Sequence, residues 1–161
     1  MSKLSKTNKG FTIIEVMIVL AIAGLILLIV FLAVPALQRN SRNTQRKNEV
    51  AAIVGAVQEF ANNNNGALPD PSDSAQTDTV LDNAKRSYYT DNSKIAFSTS
   101  GGDAAGPDDI DAVFVVLEGQ CISPSAAPGD DISQDGSTRS FAVVYTIEQG
   151  GGKKLDICTD S

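Results

Sequence analysis

The chain of 161 residues contains no histidine. This absence excludes the Ser-His and Cys-His pairs that activate nucleophiles, and it excludes metal sites built on imidazole ligands. The glycine-rich segment 150–154 lacks the glycine spacing, and the following Ser or Thr, of a phosphate-binding loop. The sequence therefore predicts no catalytic residues and no cofactor, and it indicates that the chain is not an enzyme.

An acidic turn that begins at Asp130 has only part of a calcium-binding pattern. The first, third, fifth and sixth positions of an EF-hand loop are occupied by Asp131, Ser133, Asp135 and Gly136. The twelfth position, where a bidentate glutamate belongs, is Ala142. Because the turn also lies between predicted strands rather than helices, we predict an ordinary polar turn and no metal site.

One long apolar run, from Val16 to Leu37, occupies most of the N-terminal quarter of the chain. Its twenty-two residues carry no charge and are interrupted in type only by Gly24 and Pro35. About 20 apolar residues cross the hydrocarbon core of a bilayer. The run therefore predicts a transmembrane helix, with Pro35 expected to kink or loosen it.

No A-x-A-like cleavage site follows this run, so it does not match an ordinary secretory signal peptide. A polar leader with Lys3, Lys6 and Lys9 precedes it instead, and residues 9–15 are K-G-F-T-I-I-E. Basic residues also follow the run, so the positive-inside rule leaves its orientation open. The leader lysines are expected either to hold the inner leaflet or simply to be solvated.

Gly10 followed by F-T-I-I-E-V-M-I-V-L-A-I-A-G resembles the class III signal and N-terminal helix of type IV pilins. The resemblance implies that a prepilin peptidase cleaves between Gly10 and Phe11 and N-methylates Phe11. It also implies that Glu15 of one subunit pairs with the Phe11 amine of the next, which makes wrong registers costly during polymerisation. The alternatives are a helix-breaking glycine at Gly10 and a carboxylate at Glu15 that sits in the headgroup layer.

The resemblance implies a structural subunit of an extracellular filament used in adhesion, twitching motility or DNA uptake. Its implied partners are further copies of the chain, the prepilin peptidase, an assembly platform protein, motor ATPases and the membrane that holds the precursor. The sixteen acidic and six basic side chains of residues 61–161 argue against nucleic acid as a partner. A type II secretion pseudopilin, a minor pilin, and a single-span membrane-anchored binding protein are the alternatives.

Two cysteines, Cys121 and Cys158, lie beyond the predicted membrane segment. Outside the cytosol such a pair predicts a disulfide, and two unrelated buried thiols are the alternative.

The pattern of the remaining chain predicts an α+β fold. One helix is expected from residue 12 to about 62, ending at N-N-N-N-G, with Val50, Ile53, Val54, Val57 and Phe60 on its apolar face. Strands are predicted at 112–117, 141–148 and 154–158 in an antiparallel sheet of three or four strands against that face. The predicted regions are a cleaved leader (1–10), a transmembrane or filament-core helix (11–37), its amphipathic continuation (38–62), a surface αβ-loop region (63–111) and the disulfide-closed sheet (112–161). Within the αβ-loop region one short helix is expected near 78–87.

Overall fold

The computed structural model describes residues 10–84, 89, 91–99, 109–121, 132–133 and 137–161, and of residues 132 and 133 only the backbone. The predicted leader lysines and most of the acidic turn at 130–136 lie outside these residues. Within them the chain divides between Gln38 and Arg39 into two compact units, which are described separately. We call the part up to Gln38 the N-terminal unit and the part from Arg39 to Ser161 the globular unit.

Helix α1, Ile13–Asn63, contains the apolar run and its amphipathic continuation. Its predicted end at the asparagine run is confirmed. Gly66 N donates to the carbonyl of Ala61 at 2.7 Å, and Asn65 and Gly66 have φ angles of 57° and 88°. These left-handed residues close the last turn, because asparagine and glycine adopt that conformation at low cost.

Between α1 and the sheet the structure contains the predicted short helix, which begins at Ser74 rather than near residue 78, and a short strand that was not predicted. Helix α2, Ser74–Asn83, begins at Asp73, whose carboxylate accepts a hydrogen bond from Ala75 N. A single 3₁₀ turn, Asn92–Lys94, leads into strand β1, Ile95–Ser98. The composition of the segment concealed strand β1, since polar residues dominate it.

The main sheet has four strands in the order β1-β2-β5-β6, with β2 at Val113–Leu117, β5 at Phe141–Glu148 and β6 at Lys154–Asp160. Strands β3, Gln120–Cys121, and β4, Ile132–Ser133, form a separate antiparallel pair. The α+β prediction is confirmed, but the prediction of an antiparallel sheet is wrong in one place. Strand β1 runs parallel to β2, so the sheet is mixed.

The hydrophobic core lies between the second half of α1, α2 and one face of the main sheet. Its helix residues include the predicted Val50, Ile53 and Val57, while Val54 and Phe60 pack at the edge. The sheet contributes alternate residues of β2 and β5, as a half-buried sheet requires: Val113, Val115, Leu117, Phe141, Val143 and Tyr145. A smaller apolar cluster on the other face contains Val116, Ala142 and Val144 beside the two cysteines.

Candidate functional site

The N-terminal unit exposes its apolar side chains along the whole of the predicted membrane segment. Phe11 is 89% exposed, and the large apolar residues from Ile13 to Leu37 are exposed as well. In the described part of the chain, α1 is the one helix that is long and apolar enough to cross a membrane by length and composition. In water the exposure of this apolar surface would be unfavourable. The segment therefore requires lipid or other protein around it.

Thr12 and Glu15 begin α1 with a reciprocal cap. Glu15 Oε2 accepts hydrogen bonds from Thr12 N at 2.8 Å and Thr12 Oγ1 at 2.6 Å, and Glu15 N donates to Thr12 Oγ1 at 3.4 Å. This T-x-x-E arrangement is a capping box. The sequence analysis gave Glu15 a role between subunits, or a place in the headgroup layer, and did not identify this cap, although the T-x-x-E spacing is itself a signal for it.

Gly10 precedes α1, and the described structure has room for a side chain at this position. A Cβ atom built at this position would meet no atom within 4 Å. The described structure around Gly10 therefore gives no steric reason for glycine there.

Within the globular unit, the main sheet is joined to the second half of α1 by a polar cluster around Glu148, which we call the Glu148 clamp. Arg42 donates to both carboxylate oxygens of Glu148, from Nε at 2.8 Å and from Nη2 at 2.6 Å. Asn43 donates from Nδ2 to the Glu148 carbonyl at 2.8 Å and accepts from Glu148 N at 2.9 Å. The end of β5 is thereby held through its side chain and its backbone.

Arg46 extends the clamp to the start of β2. It is 2% exposed and donates from Nη1 to Glu148 at 3.0 Å and from Nη2 to Asp111 at 3.1 Å. One helical turn further on, the buried Glu49 accepts from Tyr89 N at 2.6 Å. Arg42 and Arg46 are four residues apart and therefore lie on one helix face. The sequence analysis did not identify Asn43, Asp111 or Glu148 as their partners.

The clamp keeps Glu148 ionised. Hydrogen bonds from Arg42 lower the pKa of its carboxyl from 4.5 to about 2, with smaller contributions from Arg46 and from the positive charge of both arginines, while burial acts in the opposite direction. At the same end of the sheet, Lys94 pairs with Asp109. The hydrogen bond to Asp109 and its charge raise the pKa of Lys94.

Cys121 and Cys158 form the predicted disulfide, so the alternative of two unrelated thiols is wrong. The bond joins β3 to β6 across a sequence separation of 37 residues. In the chain-entropy model a loop of this size contributes about 3 to 4 kcal/mol to the free energy of unfolding.

No cluster of three or more potential metal ligands occurs among the described residues. The acidic turn that had the partial EF-hand pattern lies outside them, apart from the backbone of residues 132 and 133.

The N-terminal residues match one family model. Residues 5–31 carry the prokaryotic N-terminal methylation motif, which is the class III signal peptide of type IV pilins. Comparison with curated proteins and with solved structures found no match. The motif supports a prepilin of the type IV pilin or pseudopilin kind, and with the apolar helix it fits a membrane-anchored precursor.

Proposed function

We propose that this chain is a structural subunit of an extracellular type IV pilus filament, made as a single-span membrane precursor. One observation carries the proposal: the methylation motif at 5–31 leads directly into an apolar helical segment that nothing in its own chain covers among the described residues. Lipid covers that surface in the precursor. The same segments of neighbouring copies cover it in the filament.

Processing would take place between Gly10 and Phe11, where a prepilin peptidase cleaves and then methylates the new Phe11 amine. The absence of packing around Gly10 is consistent with selection of glycine by an enzyme rather than by the fold. Platform and motor proteins of the assembly machine would extract the processed chain from the membrane.

Glu15 would have two successive partners. In the precursor its carboxylate caps α1 through Thr12. After cleavage, the Phe11 amine of an adjacent copy supplies a cation that this carboxylate can pair with. A register in which the amine misses the carboxylate leaves a charge buried without a partner, and that penalty selects the correct register.

A pseudopilin or minor pilin shares the same N-terminal motif. The Cys121–Cys158 disulfide favours a pilin, because the resemblance associates a C-terminal cysteine pair with pilins more than with major pseudopilins. A single-span binding protein remains the contrasting class, and it requires no cleavage and no polymerisation.

Intact-mass spectrometry of protein sheared from the cell surface tests the proposal. We expect a chain that begins at Phe11, carries one methyl group and is two protons lighter before reduction. Gly10→Val should leave full-length precursor in the membrane. Finding only uncleaved chain in the membrane fraction of the unmodified protein would instead identify an anchored binding protein.

Two substitutions separate the cap from the register function. Glu15→Ala should be processed normally and yield no filaments, since it removes the carboxylate needed between copies. Thr12→Val removes the hydroxyl of the cap and keeps the carboxylate, so filaments should still form. Normal filaments from Glu15→Ala, counted by electron microscopy, would refute the register function.

A further inference from the structure

The end of α1 carries a dipeptide that reacts slowly in water. The chain has ten asparagines, and Asn65 is the one that a glycine follows. The backbone nitrogen of the next residue can attack the side-chain carbonyl carbon of an asparagine and expel ammonia. A side chain on that next residue hinders the attack, and glycine has none. Asn62, Asn63 and Asn64 belong to the same run, but each is followed by another asparagine.

The side-chain amide of Asn65 is not held in place by hydrogen bonds. Asn65 is exposed, and no hydrogen bond joins its amide to another residue that the structure describes. The amide of the neighbouring Asn64, in contrast, donates from Nδ2 to the carbonyl of Phe60 at 2.8 Å. Rotation of the Asn65 side chain towards the next backbone nitrogen therefore breaks no hydrogen bond within the described residues.

The attacking nitrogen, which belongs to Gly66, is restrained by one hydrogen bond. Gly66 N donates to the carbonyl of Ala61 at 2.7 Å, and both Asn65 and Gly66 are left-handed in this closed turn. Helix ends open locally at a small cost in free energy. The nitrogen becomes available whenever this bond opens. The last turn of α1 therefore slows the reaction and does not prevent it.

Asn65 lines a groove in which a change of charge would be felt. The groove lies between the segment that follows α1 and the turns that follow β2 and precede β5. Its charged lining residues are one basic side chain, Arg139, and two acidic ones, Asp70 and Glu118. The formal charge of the lining is therefore −1, and conversion of the neutral Asn65 to a carboxylate changes it to −2.

We propose that Asn65 is a site of spontaneous deamidation in the folded protein. Gly66 N forms a bond to Cγ of Asn65, the bond from Cγ to Nδ2 breaks, and the proton of Gly66 N leaves with the amide nitrogen as ammonia. Water then opens the resulting succinimide ring at either of its two carbonyl carbons. The products are aspartate and isoaspartate, in which the main chain runs through Cβ and Cγ. Water is the sole co-reactant, and nothing is oxidised or reduced.

Deamidation changes both the charge and the backbone at the end of α1. Isoaspartate inserts an extra carbon into the main chain between Ala61 and Gly66, so the ring closed by their hydrogen bond no longer has its native size. Both products carry a new carboxylate, and the loss of ammonia makes the change irreversible. The converted fraction therefore records how long a molecule has existed, whether or not the chain forms filaments.

Peptide mass spectrometry of the full chain, stored in detergent at neutral pH for increasing times, tests the proposal. Digestion in water enriched in the heavy oxygen isotope marks any conversion that occurs during digestion by its additional mass. We expect the mass change from NH₂ to OH to grow with time at Asn65, and to be far smaller at Asn62, Asn63 and Asn64. In guanidinium chloride the conversion at Asn65 should be faster by roughly fivefold, since one hydrogen bond restrains the closed turn.

Asn65→Gln is the matched control, because glutamine keeps the amide but would have to close a larger ring. We expect no conversion at residue 65 of this variant over the same storage time. Equal conversion at all four asparagines of the run would overturn the proposal, and so would conversion at Asn65 in the unfolded chain alone. Cleavage after Gly10 and filament formation are measured separately and report on the proposed function alone.

Discussion

Arg46 is the residue through which α1, β2 and β5 meet. Its guanidinium is almost completely buried, yet it reaches two carboxylates that are themselves partly open, with exposed fractions of 21% for Glu148 and 52% for Asp111. The ion pairs therefore offset the cost of burying one charge. Arg42, in contrast, bonds both carboxylate oxygens of Glu148 from a side chain that is 42% exposed.

We predict that Arg46→Met destabilises the globular unit more than Arg42→Met does. Removal of one partner from a buried ion pair typically costs about 3 to 5 kcal/mol, and the partial exposure of Asp111 and Glu148 favours the lower end. An exposed pair typically contributes about 1 kcal/mol or less, so Arg42→Met should cost little. Urea unfolding of both variants measures the difference, and equal losses would contradict the assignment of Arg46 as the buried centre of the clamp.

The lowered pKa of Glu148 also predicts how the free energy of unfolding depends on pH. Its pKa is lowered to about 2 in the folded state, so the folded chain holds fewer protons than the unfolded chain between that value and 4.5. The contribution of ionised Glu148 to the free energy of unfolding is therefore complete above about pH 4.5, and it is lost as the pH falls towards 2. After allowance for solvent screening we expect a contribution of about 1 to 2 kcal/mol.

The measurement compares the unmodified chain with Glu148→Gln in urea at pH 5, 4, 3 and 2.5. The difference in unfolding free energy should be largest at pH 5 and should shrink towards pH 2.5. Other carboxylates with lowered pKa, such as Asp70 and Asp109, remain in both proteins and cancel. A difference that is constant with pH would show that the charge of Glu148 has no part in the clamp.

Single residues were predictable from the sequence where chemistry and spacing are local. The glycine, phenylalanine and glutamate of the N-terminal motif are recognised over six positions, and the two cysteines could pair in only one way. The clamp could not be predicted in this manner. Asn43 and Glu148 are 105 residues apart, and only the return of β5 along α1 brings them together.

At the scale of elements, the end of α1 depends on a glycine that its interior does not need. Gly66 has φ of 88°, and a Cβ atom there would lie 2.7 Å from Nε of Arg139. Gly55 lies within α1, and a Cβ atom there would meet nothing within 4 Å. We therefore predict that alanine substitutions at the two glycines change the free energy of unfolding in opposite directions.

Gly66→Ala should lower the free energy of unfolding by about 1 to 2 kcal/mol, because an L side chain in the left-handed region is strained. Gly55→Ala should raise it by roughly 0.5 to 1 kcal/mol, since alanine is the better helix former. Thermal melts of both variants in the same buffer test the pair. Stabilisation by Gly66→Ala would mean that α1 does not end in the turn described.

Long periodic elements were predicted closely, and short ones were not. The apolar period of α1 and the β-branched run of β5 give strong local signals, so their bounds agree with the structure to within about a residue. Strand β1 has four residues and carries only Ile95 and Phe97 as large apolar side chains. Its parallel pairing depends on a crossover that no local pattern reveals, and for that reason an antiparallel sheet was predicted.

At the scale of the whole molecule, the two units differ in what they need from their surroundings. The buried apolar core lies beyond Arg39, in α1, α2 and the main sheet. The described segment before Arg39 contributes no residue to this core, and its own apolar side chains are exposed. Folding of the globular unit should therefore be independent of the membrane segment, while solubility should not be.

We predict that a chain of residues 39–161 folds without detergent, whereas the full chain requires detergent or lipid. The measured properties are a cooperative thermal melt by circular dichroism and a monomeric elution volume.

A chain of residues 58–161 is the control, because it loses Arg46, Val50, Ile53 and Val57 from the helix that covers the sheet. Loss of these groups removes several apolar side chains from the core, each of which contributes about 1.5 to 3 kcal/mol, and that exceeds what a disulfide-closed sheet can compensate. The control should therefore show no cooperative melt. If the 39–161 chain also failed to fold, the apolar segment would have to contribute to the stability of the globular unit, and the division of the molecule at Arg39 would not describe its energetics.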